Sequence, residues 1–224
     1  MNMQTVPPGS GYQPPELNTT QQKAMRIIKG SAPFEDRFNP NHDELVALIK
    51  TLRSMGCRIV FTTGVWDLFH IGHAEYIQRG KEETIKLYPD AEHVIVVVGV
   101  DTDTLTKKRK GPDRPVVPQD ERIRVLAHLR SVDILALQTE NDQLFRLVPH
   151  DVRVISQSTK DLPDLKNMKC QCEHVVNLPP QAETSTTARI RRLSLDGAIS
   201  VLVSIERRLS RVLEEVRSEI EKPK

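Results

Sequence analysis

The sequence predicts an α/β fold, a doubly wound parallel sheet that carries a C-terminal amphipathic helix. Three observations predict it. Five short apolar runs alternate with helical patterns between Arg58 and Leu178, and alternation of this kind builds parallel βαβ units. The run Val94-Ile95-Val96-Val97-Val98 is continuously β-branched, as in a strand covered on both faces. A loop bearing glycines and histidines separates the first strand from its helix, the place where such sheets hold phosphate.

Taken in order, residues 1–22 contain Pro7-Pro8-Gly9-Ser10-Gly11 and Pro14-Pro15 without apolar periodicity, and read as a disordered arm. Residues 23–57 form a helical lead-in. Within it Leu45, Val46, Leu48, Ile49 and Leu52 recur at helical spacing and Gly56 stands as a C-cap. The main domain, 58–195, opens with the strand Arg58–Thr62, a helix over Ala74–Leu87 and the strand Val94–Val98. A charged loop follows, with the basic run Lys107-Lys108-Arg109-Lys110 read either as solvated or as a flap that meets an anion. Pro118-Gln119-Asp120-Glu121 starts a helix, with proline in the first turn and acids at the positive end of the dipole. Strands over Ile134–Leu137 and Val152–Ile155 flank a short helix at 143–148, and His174–Leu178 supplies the fifth strand.

Residues 196–224 carry Leu202, Ile205, Leu209, Val212 and Val216 in steps of three and four, which defines a long amphipathic helix. Its stripe either packs on its own domain or forms a seam between copies; a homodimer is the expectation, since a two-fold contact lets one stripe cover its own copy.

Composition narrows the function. Lys and Arg total 32 against 30 for Asp and Glu, a formal net charge of +2, so no global field draws in nucleic acid or an anionic membrane. Any anion site is local. No apolar run approaches spanning length. The three cysteines, Cys57, Cys170 and Cys172, make an odd count without a signal-peptide pattern, which points to a reducing cytoplasm. Cys170-Gln171-Cys172 is tighter than zinc spacings and lacks a second pair, so no protein-held metal is expected.

The chemistry lies in Thr63-Gly64-Val65-Trp66-Asp67-Leu68-Phe69-His70-Ile71-Gly72-His73, directly after the first strand and before a helix. Gly64 allows a tight turn and Gly72 a close approach of backbone to ligand. The helix that follows presents free N–H groups to an anion. Two imidazoles flanking one glycine can donate to phosphate oxygens as charge develops on a leaving pyrophosphate. A lone histidine there would be read as a cap, but the pair with its glycines reads as a phosphate site.

These residues resemble a known family. Gly64-Val65-Trp66-Asp67 and His70-Ile71-Gly72-His73 are similar to the GxFD and HxGH signature of cytidylyltransferase-like nucleotidyltransferases, with Trp66 where Phe is usual. The likeness runs from about Asp43 to Leu193 through Lys81, Asp103, Arg114–Arg122, Asp133 and Ser185-Thr186-Thr187. It implies a Rossmann-like domain that takes ATP or CTP, with Mg²⁺ carried on the triphosphate, and a phosphorylated small-molecule acceptor. It implies a catalytic role for His70 and His73, with Lys81 and Arg122 neutralising the triphosphate. Thr62, Thr63, Gly64, Asp67, Gly72, Asp103, Asp133, Ser185, Thr186 and Thr187 would bind the nucleotide.

Within that family the sequence most resembles heptose 1-phosphate adenylyltransferases, through Gly111-Pro112-Asp113-Arg114-Pro115-Val116 and Ser185-Thr186-Thr187. Glycerol 3-phosphate cytidylyltransferases are less similar, since Pro180 stands where they place an arginine. Relatives follow the fourth strand with a Gly-Asp element, whereas here Ser156-Gln157-Ser158-Thr159-Lys160-Asp161 follows it. The acceptor half of the site therefore departs from the pattern. Competing readings are a phosphoethanolamine-type cytidylyltransferase, an FAD synthetase, and a non-catalytic nucleotide-binding regulatory module.

Overall fold

A computed structural model describes residues 17–157, 171–181 and 186–220 of the chain. Three helices come first: α1 (Thr19–Ile28), α2 (Phe34–Arg37) and α3 (His42–Ser54). Asparagines start two of them, Asn18 through a reciprocal capping box with Gln21 and Asn41 by accepting from Asp43 and Glu44; such caps satisfy N–H groups that a helix leaves open. The α/β alternation follows as β1 (Arg58–Gly64), α4 (Ile71–Leu87), β2 (Val94–Asp101), α5 (Asp103–Lys110), α6 (Gln119–Ala127), β3 (Ile134–Gln138), α7 (Gln143–Leu147), β4 (Val152–Ser156) and β5 (His174–Leu178). A helix α8 (Thr186–Ile220) ends the described chain.

All five strands pair in parallel in the order β3-β2-β1-β4-β5. The order reverses beside β1, which sets the topological switch point at the carboxyl ends of β1 and β4, where doubly wound sheets bind ligands. Alternate residues of each strand serve two cores. Ile59, Phe61, Ile95, Val97, Ile134 and Ala136 face α1, α3 and α7. Val60, Val96, Val98, Val100, Leu135 and Val154 face α4 and α6. β2, buried along its whole length, is the covered strand its β-branched run predicts.

Four expectations change. Thr19–Gln22, placed in the arm, belong to α1, and the lead-in is an integral layer of the core, with Ala24, Ile27, Leu45 and Leu52 buried under the sheet. α4 begins at Ile71 rather than Ala74, which puts His73 inside its first turn. Residues 107–110 are the last turn of α5 and not a loop, with Thr102 capping the other end; four cations at a helix carboxyl end complement its dipole. The final helix starts ten residues before Asp196, passing through Gly197 without a break. The proline-rich part of the arm, Cys170 and Ser158–Asp161 lie outside the described residues.

Asp151 ties down the amino-terminal edge of the sheet. Its buried carboxylate accepts from Arg53 at 2.8 Å, Arg58 at 3.3 Å and the Ile59 N–H at 2.7 Å. Beside it His150, 3% exposed, packs on Phe61 and Phe145 at ring separations of 5.1 and 5.5 Å. Along α8, by contrast, Leu195, Ile199, Leu202, Ile205, Leu209 and Val212 are all exposed. No described helix is long and apolar enough to cross a membrane.

Burial, aided by the nearby positive charge of Arg153, holds the His150 imidazole down to about 4, while the unfolded group titrates near 6.5. The native state therefore binds fewer protons than the unfolded chain between those values. Stability present above pH 6.5 is lost as pH falls from 6.5 to about 4, by about 3 kcal/mol in full. Denaturant midpoints measured across that range should fall steeply for the wild type and more shallowly for His150→Gln.

Candidate active site

The loop after β1 is shaped by two left-handed residues, Trp66 at φ +59 and Leu68 at φ +44, a backbone state that costs an L-residue about 1–2 kcal/mol. Burial and hydrogen bonding offset the cost at Trp66. Its ring is 5% exposed and its indole N–H donates to the Gly99 carbonyl at 2.9 Å. The ring lies on Gly64, where a Cβ would stand 3.0 Å from Trp66 Cε2. Gly99 is equally constrained, since a Cβ there would meet Thr63 Cγ2 at 2.6 Å and Leu144 Cδ1 at 2.8 Å.

The loop delivers two histidines to one place. His70 is the extended N-cap of α4, His73 lies one turn on, and their rings stack at 3.9 Å with 24° between planes. Trp66 meets His73 edge-on at 5.6 Å, and Phe69 tilts against it at 5.3 Å. Gly72, buried between the two, leaves the helix start without a side chain in the way. Below them Thr62 Oγ1 shares a hydrogen bond of 3.1 Å with the Tyr76 hydroxyl.

Two buried charges hold this loop to its neighbours. Asp67 accepts from the Val116 N–H at 3.0 Å and the Val117 N–H at 2.9 Å, and pairs with Arg114 at 2.7 Å. The turn between α5 and α6 is thereby fastened to the histidine loop. Arg122, 2% exposed, donates to the carbonyls of Val117 at 2.9 Å, Asp101 at 2.9 Å and Val65, and to Asp103 Oδ1 at 2.6 Å. A planar fork with five N–H groups can serve four acceptors at once.

The carboxyl end of β2 adds a second cluster. Asp101, fully buried, binds Arg109 at 2.6 Å and the Gln138 amide at 3.0 Å. Burial pushes its carboxyl above the usual range, against the pull of Arg109 and Gln138. Lys110 is held below the ordinary lysine value by partial burial and then by Arg114 and Arg109. Three cations thus crowd beside the histidine loop.

The structure gathers Thr62, Thr63, Gly64, Asp67, His70, Gly72, His73, Asp103 and Arg122 at the carboxyl ends of β1 and β2. Lys81 and Asp133 are not among them. They pair with each other at 3.4 Å, and Asp133 also accepts from the Val96 N–H at 2.8 Å, toward the amino-terminal side of the sheet. Eight residues of helix separate Lys81 from His73, roughly 12 Å of rise. Ser185 lies outside the described residues; Thr186 and Thr187 open α8, their side chains outside the description.

Sequence reasoning missed Asp101 and Gln138 as members of the site, and gave Arg109 only as part of an alternative flap and Arg114 only as part of the family likeness. A strand that ends in Asp101 two residues before Asp103 was the available signal. Arg122 is enclosed by acceptors rather than presented as an open cation. Among the described residues no group of three or more His, Cys, Asp or Glu side chains is placed to hold a metal ion.

A parallel sheet whose order reverses beside a glycine-bounded, two-histidine loop defines a nucleotide-phosphate-binding protein. Residues 61–192 match the family described as cytidylyltransferase-like, more than half of the chain. The chain belongs to that family. It is 37% identical over 125 residues to the bifunctional protein HldE of Nitratiruptor sp., covering 55% of this chain and 25% of that protein. The bifunctional protein HldE of Methylobacillus flagellatus is 40% identical over 101 residues, 45% of this chain and 19% of that one. The alignments thus span a quarter or less of these curated relatives. A solved structure of the lipopolysaccharide core biosynthesis protein from Thermoplasma volcanium GSS1 superposes at a TM-score of 0.43 with 21% identity, over 54% of this chain and 95% of that one.

Arg122→Lys keeps the charge but cannot serve three carbonyls and Asp103 together. Chemical denaturation should find it less stable by about 2–4 kcal/mol, because buried acceptors lose their donors. Wild-type stability would mean that charge alone is what the site needs from this residue.

Proposed function

We propose that the chain transfers AMP from ATP, in preference to CMP from CTP, to the phosphate of a phosphorylated sugar such as a heptose 1-phosphate. The observation that carries this reading is the stacked His70/His73 pair at the start of α4, at the sheet's switch point. An acceptor phosphate oxygen attacks the α-phosphorus in line, the bond to the β-phosphate oxygen breaks, and pyrophosphate leaves with that electron pair. His70 and His73 donate to the oxygens on which charge grows. The first turn of α4 adds its N–H groups and dipole.

The rest of the gathered residues position these two. Asp67 and Arg122 fix the loop on both sides, so the donors stand in place before substrate arrives and need no reorganisation. The cations Arg109, Lys110 and Arg114 lie where the triphosphate or the acceptor phosphate would relieve their mutual repulsion. Lys81 and Asp133 serve the far end of α4 in this reading. Magnesium, carried in with the triphosphate, would add charge neutralisation there. The Arg114–Val116 stretch is the one Asp67 fastens to the loop, and its resemblance to heptose 1-phosphate adenylyltransferases is what favours a sugar phosphate over other acceptors.

A pyrophosphate-release screen of ATP and CTP against phosphorylated sugars, polyols and alcohols tests the assignment, and release only with CTP and glycerol 3-phosphate or phosphoethanolamine would replace it. His70→Ala and His73→Ala should each lower turnover by about 10²–10³ while the proteins stay folded by circular dichroism. Undiminished turnover in either would remove that histidine from the chemistry.

The exposed stripe of α8 completes the proposal with a homodimer. Leu195, Ile199, Leu202, Ile205, Leu209 and Val212 follow one another in steps of three and four, and an exposed apolar stripe of that kind needs cover. Leu209→Glu would bury a charge in such a seam. Light scattering should then show monomers for the variant and dimers for the wild type; a monomeric wild type would end the reading.

A further inference from the structure

We propose that Trp66 is a positioning residue for His73, the part that transfers the rigidity of the central sheet to the imidazole. The inference rests on the nucleotidyl-transfer reading for its kinetic consequence but not for its geometry. Trp66 is the chain's single tryptophan. Its left-handed backbone turns the side chain back over Gly64 instead of out toward solvent. There the indole N–H meets the Gly99 carbonyl at 2.9 Å, and that one bond fixes the ring against β2, the fully buried strand.

His73 is surrounded by three rings, and they differ in what holds them. His70 stacks on it at 3.9 Å as the cap residue of α4, and Phe69 tilts against it at 5.3 Å from the half-buried end of the loop. Both ride on the same segment as His73. Trp66 comes from further back in the loop and donates a hydrogen bond to a neighbouring strand, and it meets the imidazole edge-on at 5.6 Å and 77°. Its other side leans on Tyr76 at 6.1 Å, whose hydroxyl is bonded to Thr62 of β1. The indole is therefore braced by β2 directly and by β1 through Tyr76, and the imidazole plane is set against it. A phenylalanine could fill part of this space but has no N–H for Gly99, so its ring would be free to turn about its own bonds.

The test compares Trp66→Phe and Trp66→Leu with the wild type by two readouts. Imidazole C–H resonances in a histidine-labelled sample, with His73 identified through His73→Gln, report the ring's position without turnover. Trp66→Leu should move and broaden the His73 resonance while that of His150, on the opposite face of the sheet, stays in place. Steady-state kinetics should show kcat reduced roughly 10–100-fold with KM for the nucleotide nearly unchanged, since small misplacement of a catalytic group is felt in the transition state. Trp66→Phe should recover part of both effects, and it carries the comparison should the leucine variant fail to fold. A lowered melting temperature with the His73 resonance and kcat unmoved would reduce Trp66 to a core side chain and overturn the proposal. A chain that transfers nothing to any acceptor would overturn the functional reading instead, and the resonance would still decide the role of Trp66.

Discussion

The site depends on one buried guanidinium. Arg122 reaches from α6 to carbonyls of the histidine loop, of the end of β2 and of the turn before its own helix, and it pairs with Asp103. Burying a cation is costly unless every donor finds an acceptor, and here four acceptors on four segments converge. The same contacts that make the charge tolerable hold those segments at fixed separations. Asp67 complements it from the other side by accepting backbone N–H groups rather than donating to carbonyls. Between them an anion and a cation satisfy opposite halves of irregular backbone that has no ladder to join.

The two ends of the sheet use buried charge for different purposes. At the amino-terminal edge Asp151 gathers Arg53, Arg58 and the Ile59 N–H around one carboxylate, so its charge is taken up in holding the chain together. At the carboxyl edge Arg109, Lys110 and Arg114 stand by two carboxylates, Asp101 and Asp67, and Lys110 is held down first by burial and then by its cationic neighbours. An excess of positive charge at one edge gives a phosphate a reason to dock there, even though the whole chain has a formal net charge of only +2.

Much of this was legible in the sequence, and the parts that were not have physical causes. β2 read correctly because a β-branched run of five residues has few alternatives, the shorter strands because apolar runs alternate with helical patterns, and the histidine loop was placed correctly because it falls between a strand and a helix. The basic run 107–110 misled because four adjacent cations repel in a free helix. In the fold Arg109 pairs with Asp101 and the helix dipole favours the rest. Lys81, well along α4, and Asp133, just before β3, stand toward the other side of the sheet from the histidine loop, a separation their places along these elements already implied. Arg122 was read as a cation turned to the triphosphate, whereas in the fold its N–H groups are taken by protein acceptors. Trp66 registered only as a departure from phenylalanine; the indole N–H that distinguishes the two finds its acceptor on a strand thirty-three residues away.

The pairing of Lys81 with Asp133 gives α4 a second mooring, past its midpoint. The first is the histidine cap, held by the loop; the other is an ion pair just before β3, with the Val96 N–H sharing the carboxylate. A rod held at two separated points resists tilting more than one held at a single point. The direction in which the helix carries its imidazoles is thus shared between the loop at its start and the sheet beside its second half.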